Sequence, residues 1–258
     1  METESEALRS LPQRGDKMLG IVGGMGPLAS ALFYEMLIRK TPAEKDQEHI
    51  DLILLSHSSM PDRTATILHG SETDKQHIQS LLEKDVERLV AAGCDEVVIT
   101  CNTAHYFVAR MPEELRKKVI NLINVTAEKI AYSGKKRIAI LATDGTIRTG
   151  LYQKALEKAG IDSDIPNLDL QKIVMRIIYD HVKSGKKVPD SLWHETMSRV
   201  RASGCDGAVL GCTELSVAFD EFKGDKTFDG DGLIFFDPLE ITAERCIALE
   251  KNVKTSAL

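Results

Sequence analysis

The sequence has no apolar run near the 18 or so residues that a membrane-spanning helix needs, and its first 16 residues are polar and acidic, without the apolar core of a secretion signal. A spanning protein, or one exported by that route, is not expected, and the cytoplasm is the expected location. An excess of basic residues is missing too. Lys and Arg number 33 against 39 for Asp and Glu, a formal charge of -6, which repels a phosphate backbone and removes nucleic acid from the expected partners. The five cysteines are an odd number, and no Cys-x-x-Cys pair or close Cys/His cluster supplies a closed ligand set for zinc. Free thiols are therefore expected, with no disulfide framework and no metal. No low-complexity linker divides the chain. At 258 residues roughly 70 to 75% of the unfolded surface can be buried, near the length where one core stops growing, so two lobes with a broad interface are expected.

What is present is a regular alternation. Met18 to Val22 is apolar and runs into Gly23-Gly24-Met25-Gly26-Pro27, after which Leu28, Leu32, Phe33, Met36 and Leu37 recur at helical spacing. Asp51 to Ser56 reads as a second strand. Lys75 to Ala92 carries Ile78, Leu81, Leu82, Val86, Leu89 and Val90 on one helical face and is closed by Gly93. Glu96 to Cys101, Val119 to Ile123 and Lys136 to Ala142 read as further strands. Continuous apolar strands separated by amphipathic helices predict an α/β fold with parallel sheets covered on both faces.

An internal echo divides the chain. Gly93-Cys94-Asp95, an apolar strand, and Cys101-Asn102-Thr103 can be laid over Gly204-Cys205-Asp206, an apolar strand, and Cys212-Thr213-Glu214. Two similar lobes are implied, related by a pseudo-twofold axis, each with a parallel sheet flanked by helices. The expected division is a mobile extension over 1–17, a first lobe of 18–118 plus 221–258, and a second lobe of 119–220, with a terminal helix from Pro238 packing back on the first. Ligands of parallel α/β sheets bind beyond the carboxyl ends of the strands. Cys101 and Cys212 both fall there, each before residues suited to cap a new helix. Two thiols facing one ligand from opposite sides could carry a proton through the plane of a carbon acid without metal or organic cofactor.

The competing readings are structural. A lone Cys at a strand end is ordinarily a small buried hydrophobe, and packing explains Cys94, Cys205 and Cys246 best. Gly24-Met25-Gly26-Pro27-Leu28-Ala29 fits a dinucleotide fingerprint formally, but the ribose-binding acid is missing from the next strand, which ends in Ser56-His57-Ser58-Ser59. Arg63, just past the second strand, could grip a carboxylate in a bidentate fork; its alternative is a solvated arginine paired to Asp62. His57 is indecisive, and His105 is expected to be a satisfied structural histidine.

Taken together, Gly23-Gly24-Met25-Gly26-Pro27, Pro61-Asp62-Arg63-Thr64, Cys101-Asn102-Thr103-Ala104-His105, Leu141-Ala142-Thr143-Asp144-Gly145-Thr146-Ile147 and Gly211-Cys212-Thr213-Glu214-Leu215 resemble the aspartate/glutamate racemase superfamily, in particular its aspartate racemase branch. The resemblance implies two α/β lobes with the active site in the cleft between them, a homodimer, and cofactor-independent racemisation of aspartate, with glutamate as a further substrate. It assigns Cys101 and Cys212 as the opposed acid/base pair. It implies that Asn102, Thr103, Thr143 and Thr213 bind the amino acid's carboxylate and ammonium, that Met25 and Gly26 close the site, and that Arg63 takes the side-chain carboxylate. Thr146, Lys183 and Glu214 complete the implied substrate-binding set. Glutamate racemases proper carry Asp-Ser-Gly in the first loop, Ser where His105 stands and His where Glu214 stands, and these departures favour aspartate. The alternatives are a hydantoin racemase, a maleate-type isomerase, or a non-catalytic binding protein on the same fold.

Overall fold

The computed structural model describes residues 17–223 and 233–250. Of the N-terminal extension expected over 1–17, all but Lys17 lies outside them. The first half contains β1 (Leu19–Gly23), α1 (Pro27–Lys40), β2 (Leu52–Ser56), α2 (Arg63–His69), α3 (Glu72–Ala91), β3 (Glu96–Ile99), α4 (His105–Val108), α5 (Glu113–Arg116) and β4 (Val119–Ile120). The second contains α6 (Leu122–Tyr132), β5 (Arg137–Ala142), α7 (Asp144–Thr149), α8 (Leu151–Lys158), β6 (Asp162–Asp164), α9 (Leu168–Arg176), α10 (Asp190–Ala202), β7 (Gly207–Gly211), α11 (Thr213–Glu221), β8 (Ile234–Phe236) and α12 (Pro238–Glu250). Every strand pairing is parallel, and the two sheets run β2-β1-β3-β4 and β6-β5-β7-β8. The strand orders are equivalent position for position. The fold is thus α/β with two similar sheets, as the sequence echo implied.

The echo has a structural cause. Asp95 Oδ2 accepts from the Met18 amide at 2.9 Å, while Asp206 Oδ2 accepts from the amides of Lys136 and Arg137 at 2.8 and 3.0 Å. Each aspartate ties the start of a central strand to the turn before its neighbour, which is why Gly-Cys-Asp recurs. Cys94 is buried and Cys205 half-buried in these turns, and all five cysteines are free thiols.

Two expected borders shift. The strand expected over Val119 to Ile123 stops at Ile120, because Asn121 caps α6 by accepting from the Asn124 amide at 3.0 Å. That strand pairs with β3, so it closes the first sheet rather than opening the second lobe. Conversely, β8, assigned with the first lobe, pairs with β7 in the second sheet. The terminal helix α12 lies against both α1 and α6. One apolar core is therefore continuous between the halves, from Phe33 and Leu37 through Ile130 and Leu141 to Trp193 and Leu239. A second, including Val86, Ile99, Cys101 and Phe107, fills the other face of the first sheet.

Candidate active site

At the carboxyl ends of β3 and β7 the chain makes a pocket lined from both halves. Met25, Asp62, Arg63, Thr64, Cys101, Asn102 and Thr103 come from the first, and Thr143, Tyr179, Lys183, Cys212, Thr213 and Glu214 from the second. Of the site residues that the resemblance implies, Gly26 and Thr146 stand outside this lining. Gly26 lies behind Glu214, where an added Cβ would sit 3.1 Å from Oε1. Thr146 is buried behind Thr143 and Thr103.

The halves are brought together backbone to backbone. A Cβ on Gly145, in α7, would lie 2.9 Å from Thr64 Cα in α2, so only glycine permits this approach without a shift. Beside it Thr103 of the first half bonds Thr143 and Thr146 of the second at 3.1 and 2.8 Å, and Thr143 donates to Thr146 at 3.2 Å. This ring of buried hydroxyls joins the two floors of the pocket.

The cysteines differ in setting. A helix does start after Cys212, but Cys212 itself is the N-cap of α11, with extended backbone angles and no side-chain cap bond, and Thr213, expected to cap, is the first helical residue. Cys101 is succeeded by a turn and then only the four-residue α4, which corrects the expectation of a capped helix there. Pro112 disfavours the α conformation at Met111, which limits how far a helix could run towards β4. In its place His105 does the fastening. Its Nε2 accepts from the Leu122 amide at 3.1 Å, so its Nδ1 carries the proton and donates to the Cys101 carbonyl at 2.9 Å. Burial pushes the His105 pKa down, consistent with this neutral, fully engaged ring.

Arg63 is buried, not solvated, which overturns the surface reading. Its Nη1 donates to the carbonyls of Met60 and Pro61 at 3.2 and 2.9 Å, and its Nη2 to that of Met25 at 3.0 Å. Burial opposes its charge, but the adjacent Cys101 sulfur, Asp62 and Glu214 outweigh that and push its pKa up. Its Nε has no partner among the described residues. Asp62 does not pair with it in the expected way; it caps α2 through the Ala65 amide at 2.6 Å and accepts from the Tyr179 hydroxyl at 3.0 Å.

On the other wall Glu214 joins two groups. One carboxylate oxygen pairs with Lys183 Nζ, and the other accepts from the Cys212 thiol at 2.9 Å. Burial lowers the Lys183 ammonium's pKa, but Glu214 and Cys212 outweigh it and the net shift is upward. Burial first, then the Glu214 charge, push the Cys212 thiol well up, with Lys183 opposing. The resting Cys212 is a thiol.

Sequence reading missed Tyr179, which lines the pocket and whose ring lies 5.7 Å from Lys183 Nζ. Tyr179 precedes Lys183 by four residues, a spacing that puts both on one helical face. Here the backbone makes a π turn over Ile177–Val182, a feature that recurs at functional sites.

A sequence model of the family described as Asp/Glu/Hydantoin racemase matches residues 22–246. The chain is similar to the aspartate racemase of Picrophilus torridus, with 28% identity, 90% of this chain and 94% of that one covered, and a TM-score of 0.73. It is 27% identical to a glutamate racemase of Shewanella woodyi over 71% of this chain and 68% of the relative. With the broad specificity amino-acid racemase RacX of Bacillus subtilis it shares 22% identity over 81% and 90% of the two lengths.

Proposed function

The chain belongs to the Asp/Glu/Hydantoin racemase family, and from that premise we propose that it interconverts L- and D-aspartate, with glutamate as a further substrate, by proton transfer between two thiols without an organic cofactor. The observation that carries this reading is one pocket lined by Cys101 and Cys212, one from each half, together with the cations Arg63 and Lys183. In one direction of turnover the Cys101 sulfur, beside the Arg63 guanidinium, is the base that takes the α-proton from one face of Cα. The Cys212 thiol gives its proton to the opposite face. Configuration inverts, the enzyme is left with a Cys101 thiol and a Cys212 thiolate, and the opposite hand of substrate runs the same steps backwards.

The α-proton of an amino acid is a very weak acid, so the carbanion-like transition state needs preorganised donors in a dry site. The Asn102 amide lines the pocket, and its Nδ2 has no partner among the described residues, which makes it such a donor. The unpartnered Arg63 Nε is a donor for the side-chain carboxylate, held rigidly by the carbonyls that fix the rest of the guanidinium. The resemblance to a Picrophilus torridus aspartate racemase supports aspartate as the first substrate to try.

The test is incubation of purified protein, free of pyridoxal phosphate, with L-aspartate or L-glutamate in D2O, following α-proton loss by NMR and D-isomer by chiral chromatography. Exchange with inversion, abolished by either Cys101→Ala or Cys212→Ala, is expected. Folded, reduced protein that exchanges neither amino acid would sink the proposal, and binding without exchange would turn it into a binding protein.

A further inference from the structure

Tyr152 touches the neighbours of both cysteines. Fully buried in the first turn of α8, it donates its hydroxyl to Asn102 Oδ1 at 2.5 Å, across the boundary between the halves. Asn102 is the residue directly after Cys101. On the ring edge next to that hydroxyl, a Cβ placed on Gly211 would lie 3.0 Å from Tyr152 Cε2. Gly211 precedes Cys212 directly, and its lack of a side chain is what lets the ring lie against that strand end.

The hydrogen bond decides which way the Asn102 amide points. A separation of 2.5 Å lies within the O–H···O range and below the roughly 2.7 to 3.2 Å of N–H···O bonds. The phenol therefore faces the amide oxygen. Asn102 Nδ2 is left buried, without a partner among the described residues, in a side chain that lines the pocket. A buried amide group with no acceptor has lost its hydrogen bonds to water without replacement, a cost that a bound acceptor would remove.

We propose that Tyr152 is a positioning residue. Its hydroxyl turns the Asn102 amide so that the NH2 group donates to a ligand carboxylate or developing enolate, and its ring sets the separation of the Asn102 and Gly211 strand ends that carry the two thiols. This rests on the racemase reading for the identity of the ligand, but the orientation itself does not depend on turnover.

Tyr152→Phe keeps the ring against Gly211 and deletes the hydroxyl. It is expected to lower kcat/KM for aspartate 10- to 100-fold with the thermal midpoint within a few degrees of wild type. Asn102→Ala should cost at least as much, and the double variant should fall within twofold of Asn102→Ala, because both changes remove one arrangement. Losses that multiply in the double variant overturn the proposal, as does Tyr152→Phe within twofold of wild type. Should Tyr152→Phe fold poorly, Asn102→Asp decides: it keeps the acceptor for Tyr152 but replaces the donor, so folded protein with full activity refutes the role. If wild type racemises nothing, the proposed function fails separately, and proton NMR reads the orientation. A slowly exchanging phenolic proton, lost in Tyr152→Phe and shifted in Asn102→Ala, supports it; its absence in wild type overturns it.

Discussion

At the scale of single residues the site is a set of charges held by partners other than substrate. Glu214 sits between the Cys212 thiol and the Lys183 ammonium, and its negative charge is one reason Cys212 stays protonated. Glu214→Gln removes that charge and frees Lys183, and both changes favour the thiolate. In a Cys101→Ala background, the midpoint of iodoacetamide alkylation at Cys212 should move down by about one pH unit or more; a midpoint that stays or rises contradicts the arrangement. Arg63 is different, since its fork is spent on three backbone carbonyls. Lysine cannot reproduce a planar fork. Arg63→Lys should raise the KM for aspartate by roughly tenfold or more, with a smaller change in kcat, as read from initial rates of D-isomer formation.

At the scale of elements, short loops bring strand ends from two sheets together. Gly145→Ala forces α2 and α7 apart, because the new Cβ meets backbone rather than a movable side chain. A cost of about 1 to 3 kcal/mol in urea denaturation is expected, with a fall in kcat/KM larger than that of Ser71→Ala. The latter removes the capping box at the start of α3, where Ser71 and Asp74 bond reciprocally. It should cost about 1 kcal/mol and leave kcat/KM unchanged, being remote from the pocket. The strands and long helices were legible because apolar period and turn residues are local signals, and the Gly-Cys-Asp echo was legible because each aspartate performs the same backbone task twice. The conformation of the loop after Cys101 was not legible. A Cys before small polar residues reads alike in both halves, and what sets the first loop apart is Pro112 eleven positions later, which limits a helix there, and the His105 bridge to Leu122. Arg63 was equally ambiguous, since its burial depends on carbonyls at Met25, Met60 and Pro61 that no side-chain pattern reveals. Tyr179 and Tyr152 act through partners 117 and 50 residues away in sequence, beyond the reach of periodicity.

At the scale of the molecule, α12 fastens the halves. Glu244 pairs with Lys40 of α1 at 3.0 Å and lies 3.5 Å from Lys129 of α6, while Glu240 pairs with Lys40 at 2.7 Å. These ion pairs are partly exposed and add little singly. The buried anchor is Asp237, which accepts from the Leu239 amide at 2.9 Å and from Ser216 of α11 at 2.7 Å, leaving Oδ2 without a partner among the described residues. Burial, reinforced by Glu240 and opposed by these hydrogen bonds and Lys223, raises its pKa from 3.8 to about 6. Between those values the folded protein holds a proton that the unfolded chain has released, so stability falls as pH rises through this window and the loss is complete above about 6. The shift corresponds to on the order of 3 kcal/mol. Carboxylates with depressed pKa values, such as Glu240 and Asp206, act in the opposite sense, so wild type alone does not isolate the effect. Asp237→Asn keeps an acceptor for Ser216 and Leu239 and cannot ionise. Its stability relative to wild type in urea titrations should therefore increase as pH goes from 4 to 7. A difference that is flat across that range would mean that Asp237 ionises freely, and that α12 is not seated on a carboxyl held near neutrality.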